Sequence, residues 1–132
     1  MRRLPARATI IFDGSCNFCT WSVELVKRFD DHDRLHIVPF QGHGVLSEHK
    51  LSQIETEAAA WAITPSGNRY RGAAAINLAL SVALGSRLPI MLYKLPLIQQ
   101  AQDAIYAAIA RNRTRFRGVT PYCKQHPEAC VG

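Results

Sequence analysis

Apolar positions along the first half of the chain alternate between short β-branched runs and one clear helical period. Residues 8–12, Ala-Thr-Ile-Ile-Phe, read as a buried strand, and Asp13-Gly14 stops it as a turn. Ser15 stands where a helix N-cap is expected. From residue 18 to 29 the apolar side chains Phe18, Trp21, Val23, Leu25, Val26 and Phe29 are interleaved with Glu24, Lys27 and Arg28. That spacing predicts an amphipathic helix. A polar break at residues 30–33 precedes a second strand, residues 35–38, closed by Pro39. Strand, helix and strand with short links form a βαβ unit with parallel strands.

The second half continues with a weakly helical stretch at residues 45–54. The Ala-rich segment 58–64 is locally ambiguous, because alanine favours helix. Pro65-Ser66-Gly67-Asn68 is a strong turn signal, and Arg69-Tyr70-Arg71 returns as a strand, so we read a β-hairpin. Gly72 leads into an Ala- and Leu-rich helix at residues 73–84, with Gly85 as its C-cap. Residues 88–100 are apolar and broken by prolines, which suggests short helices, and residues 101–113 are helical. A βαβ unit followed by a ββα unit predicts an α/β, thioredoxin-like core with added C-terminal helices. The expected division is one domain: a core at about 8–85, a helical cap at about 86–117 and a polar tail at 118–132.

The 132 residues suffice for one such core. Hydrophobic residues make up 48% and charged residues 20%, a globular composition. The formal charge of +6 favours acidic partners but does not bear on fold. Arg2 and Arg3 are not followed by the apolar run of a signal peptide. The most apolar span, residues 84–110, is interrupted by Arg87, Pro89, Lys94, Pro96 and Asp103, so no transmembrane segment is expected. The default expectation is a cytoplasmic protein, where a close cysteine pair signals catalysis or metal more often than a structural staple.

The chemistry concentrates at Cys16-Asn17-Phe18-Cys19. Residues three apart in a helix share a face and can meet. The first N–H groups of a helix lack intrahelical partners and the dipole is positive there, so both favour a thiolate at Cys16. Its pKa is expected below the free value of ~8.5. Cys16 is therefore the expected nucleophile, and Cys19, deeper in the helix, the resolving thiol. Asp13 has two readings: a turn-closing carboxylate, or a proton acceptor for Cys19. The alternatives for the pair are metal binding and two inert buried hydrophobes. No cofactor beyond the dithiol is needed, and no metal ligand is assigned.

The residues Phe12-Asp13-Gly14-Ser15-Cys16-Asn17-Phe18-Cys19 resemble the D-x-x-C-x-x-C signature of the DCC family of thiol-disulfide oxidoreductases, a domain of unknown function. Val38-Pro39-Phe40, the helix start at Gly72-Ala73-Ala74-Ala75, Ala104-Ile105-Tyr106 and Ala110-Arg111-Asn112-Arg113 are similar in layout, so the resemblance spans residues 9–117. It implies a thioredoxin-like fold, with Asp13, Cys16 and Cys19 as signature residues and a protein or small-molecule thiol or disulfide as substrate. Thioredoxins proper carry a cis-proline before the strand facing the cysteines; the corresponding place here, near Glu57-Ala58, has none.

Three further groups compete for a role. Cys123 and Cys130, with His126 between them as a spare ligand, could join Cys16 and Cys19 around zinc, the alternative function being a zinc-stabilised or basic binding module that acts on a macromolecular partner, but six residues separate the second pair instead of two to four. They otherwise form a disulfide, a second redox relay or two solvated thiols, and a loop disulfide would be unusual in the cytosol. His43 reads as a solvated loop residue. The basic run at residues 111–117 reads as a solvated helix end opposing the dipole, so no nucleic-acid partner is expected.

Overall fold

The computed structural model describes residues 4–112 and 120–130. Its elements are β1 (Ala8–Phe12), α1 (Asn17–Arg28), β2 (Leu35–Pro39), α2 (Val45–His49), α3 (Gln53–Ala58), β3 (Trp61–Ile63), β4 (Arg69–Arg71), α4 (Ala73–Leu84), α5 (Leu88–Tyr93), α6 (Pro96–Arg111) and α7 (Tyr122–Gln125), followed by a 3-10 turn at Pro127–Ala129. The sheet order is β2-β1-β3-β4. β1 runs parallel to β2, and the β1–β3 and β3–β4 pairs are antiparallel. This mixed four-stranded α/β arrangement is the thioredoxin-like core expected from the element order.

β1 is central and covered on both faces, which is why it reads as an unbroken apolar run. Ala8, Ile10 and Phe12 point into the main core with Val23 and Val26 of α1 and Leu78 and Val82 of α4. Ile11 points the other way, onto Phe40, Val45 and Leu51. The small buried residues Ala75, Ala79 and Ala83 let α4 lie close to the sheet. Gly85 ends that helix at φ 67°, a left-handed conformation that glycine adopts without penalty.

The weakly helical stretch at 45–54 resolves into two helices, because Lys50 turns to a positive φ of 54° between them. Ser52 and Glu55 form a reciprocal capping box that starts α3. The late helix begins at Pro96, earlier than residue 101, since proline is favoured in a first helical turn. The cap is tied down by polar contacts. Ile90 N–H donates to buried Ser81 Oγ at 2.9 Å, and Tyr93 O–H donates to Asp103 at 2.6 Å. Burial first, and then the Asp103 bond, push Tyr93 up to about 12.

At the other end of α1, Asp30 closes the link to β2. Its carboxylate accepts from Lys27 Nζ at 2.7 Å, Arg34 N–H at 2.7 Å and Leu35 N–H at 2.9 Å. No helix among the described residues is long and apolar enough to cross a membrane. Of the basic run, residues 113–117 lie outside the described residues; Arg111 and Asn112 are exposed at the end of α6.

Candidate active site

The turn between β1 and α1 is built by side chains as well as backbone. Asp13 Oδ1 accepts from Ser15 N–H at 2.9 Å and from Gln41 Nε2 at 2.9 Å. Gln41 Oε1 in turn accepts from Gly14 N–H at 3.0 Å. Cys16 N–H donates to Asp13 O at 3.2 Å and closes the turn. The turn-forming reading of Asp13 is therefore visible in its contacts. Ser15 Oγ accepts from Gln41 Nε2 at 3.3 Å, and the expected Ser15 cap is corrected: the N-cap of α1 is Cys16.

Cys16 has extended backbone angles, φ −99° and ψ 124°, and its sulfur accepts from Cys19 N–H at 3.2 Å. The thiol itself thus takes the place of a serine or aspartate oxygen at an N-cap. A thiolate there gains from an oriented donor and from the positive end of the helix dipole. Both cysteines of this pair are thiols, Cys16 buried at 9% exposure and Cys19 half-buried.

Cys19 borders a small apolar pocket together with Phe18, the 58–60 segment, Ile76 and Tyr106. β3 starts at Trp61, and the stretch facing this thiol is 58–60, which shares Ala58 with the expected Glu57-Ala58 place. Ala59 is extended there, and Ala60 N–H donates to Tyr106 Oη at 3.0 Å. On the other side of the turn an open groove of about 620 Å³ runs past Asp13, Ser15, Phe40, Gln41 and His43. His43 is exposed on its rim, in keeping with a loop residue.

The stretch expected to be a polar tail is structured where it is described. Cys123 and Cys130 form a disulfide, the outcome regarded as unusual for a cytosolic loop. The bond commits these two sulfurs to each other, so the four-cysteine zinc arrangement is not formed, and among the described residues no three His, Cys, Asp or Glu side chains cluster for a metal. Residues 122–123 dock on the start of α1. Tyr122 N–H donates to Thr20 Oγ1 at 3.0 Å, while Thr20 Oγ1 donates to Cys16 O at 2.9 Å. Cys123 N–H donates to Gly14 O at 2.8 Å, and the Tyr122 ring packs edge-on against Phe12 at 5.3 Å.

Sequence reasoning missed Thr20, Gln41 and Tyr122. Thr20 carried one faint signal, a polar residue among apolar neighbours on an otherwise regular helix. Gln41 and Tyr122 carried none, because their partners lie 28 and 102 residues away.

No curated protein and no solved structure matches the chain. The family model for DCC1-like thiol-disulfide oxidoreductase matches residues 10–119, a span that includes the strand, turn and cysteine pair described above. The chain belongs to the DCC1-like thiol-disulfide oxidoreductase family.

Proposed function

We propose that the protein is a dithiol–disulfide oxidoreductase in which Cys16 attacks and Cys19 resolves. The observation that carries this reading is the Cys16 sulfur at the N-cap, accepting the Cys19 N–H at 3.2 Å. The Cys16 thiolate attacks one sulfur of a substrate disulfide, forms a mixed disulfide and expels the other sulfur as a thiolate. Cys19 then loses its proton and attacks Cys16 Sγ. The Cys16–Cys19 disulfide forms and the substrate leaves as two thiols, two electrons richer. Run backwards, the same steps oxidise a substrate dithiol.

In this reading Asp13 receives the Cys19 proton, while its Oδ1 is steadied by Ser15 and Gln41. The low exposure of Cys16 restricts attack to a sulfur presented in line at the turn. The substrate class is a protein or small-molecule disulfide, and the reaction needs no cofactor beyond the dithiol.

The test is a glutathione redox series read by mass after alkylation, alongside turnover of a peptide disulfide. A reversible two-electron transition at Cys16–Cys19 is expected. Cys16→Ser should lower turnover at least ~100-fold, as expected for removal of an attacking group. Undiminished turnover in Cys16→Ser would overturn the proposal.

A further inference from the structure

We infer that the Cys123–Cys130 disulfide is a second redox centre that exchanges directly with Cys16 and Cys19, making the protein an internal two-disulfide relay. The inference rests on the reading of Cys16 as nucleophile and extends it to a partner within the same chain.

Placement is the first argument. Residues 122–123 are fastened on both sides of Cys16. One fastening is Gly14, in the same tight turn, through the Cys123 N–H bond at 2.8 Å. The other is fully buried Thr20, one helical turn later, through the Tyr122 N–H bond at 3.0 Å. The Cys123 sulfur faces the turn itself: a Cβ built on Gly14 would lie 2.6 Å from it. Gly14 and Cys16 belong to one four-residue turn, whose Cα atoms span less than about 7 Å. Glycine at position 14 leaves the room that the sulfur occupies.

The disulfide's topology is the second argument. It joins two residues only 7 apart and crosslinks the docked segment to itself, not to the body of the domain. Docking is provided by the Gly14, Thr20 and Phe12 contacts instead. Closing so short a loop constrains the unfolded chain less than a long-range bridge would. A bond that holds little in place but lies beside a thiol at a helix N-cap is suited to exchange.

The exchange balances without an outside reagent. Cys16 thiolate attacks Cys123 Sγ, a Cys16–Cys123 bond forms, and Cys130 leaves as a thiolate. Cys19 gives up its proton and attacks Cys16 Sγ, and Cys123 leaves as a thiolate. Cys16–Cys19 is then the disulfide, and Cys123 and Cys130 hold one thiol and one thiolate, with two electrons and the Cys19 proton moved between the pairs. Cys123 and Cys130 are both partly exposed, whereas the attacking Cys16 is buried, so the second pair is the more accessible of the two to a bulky partner.

The test uses the full chain with Cys19→Ser and Cys130→Ser, equilibrated in a glutathione redox buffer and mapped by non-reducing peptide mass spectrometry. A Cys16–Cys123 bond within the monomer is the expected product. Glutathione on Cys16 with no bond to Cys123 would overturn the relay and leave the oxidoreductase reading standing. A Cys16 that takes up neither would end both. A single substitution guards against misfolding of the double variant. Reduction of Cys123–Cys130 by dithiothreitol should be at least tenfold slower in Cys16→Ser than in the unaltered chain, and equal rates would overturn the relay.

Discussion

Removing the Asp30 carboxylate should cost the fold a large share of its stability, and the size of the loss follows from what that side chain satisfies. Asp30 is fully buried at its side chain and accepts from Lys27, Arg34 N–H and Leu35 N–H. In Asp30→Ala two backbone donors at the start of β2 lose their acceptor and Lys27 loses its buried partner. An unsatisfied buried donor costs ~1–3 kcal/mol. Lys27 keeps Asp33 at 2.6 Å and is about a third exposed, so its share of the loss is small. The expected total is about 3 kcal/mol, which for a domain of this size lowers Tm by roughly 10 °C. The sign of the pH dependence is also determined. Burial works against the Asp30 charge, but the bonds from Lys27, Arg34 and Leu35 outweigh it and hold the carboxyl below its usual range. Its stabilisation is therefore present above the unfolded carboxylate value of ~3.9 and is lost as pH falls through the lower folded value. Urea unfolding of both proteins from pH 7 down to pH 3 measures this directly. A loss under ~1 kcal/mol at pH 7, or a difference that does not shrink in acid, would refute the reasoning.

Two substitutions probe the docked C-terminal segment. Thr20→Val keeps the shape but removes the acceptor for Tyr122 N–H, and should cost ~1–2 kcal/mol; hydrogen exchange at the Tyr122 amide should speed up and Cys16 should alkylate several-fold faster, and unchanged exchange would disprove the docking role. Gly14→Ala places a methyl 2.6 Å from Cys123 Sγ and 2.8 Å from Pro39 Cβ; overpacking of ~1–3 kcal/mol is expected in denaturant unfolding, and a neutral result would show that the segment yields freely.

How much of this was legible in the sequence depended on the range of the forces involved. β1, α1 and α4 follow from local pattern: β-branched residues at 8–12, a regular apolar stripe in α1, and Gly85 after the last turn of α4. The cysteine pair was equally plain, since its spacing and the preceding Asp-Gly turn are local. Ser15 was misread as the cap because the competing Asp13 contacts fold the turn one residue further. The alanines at 58–60 carry too little propensity contrast to show where α3 ends and the extended segment begins. The docked segment was illegible for a different reason. It is held by single hydrogen bonds and one ring contact to residues about 100 positions earlier, and such pairings leave no period in the chain.

The Thr20–Tyr122 bond spans 102 residues, which has a consequence for the order of events on the ribosome. At 5–20 residues per second, roughly 5–20 s separate the emergence of the first cysteine pair from that of the second. Throughout that interval Cys16 and Cys19 have only each other within the chain. The nascent protein is thereby protected from mispairing among its four cysteines, because the competing sulfurs do not yet exist. The segment that carries Cys123 and Cys130 is made long after the helix start on which it docks.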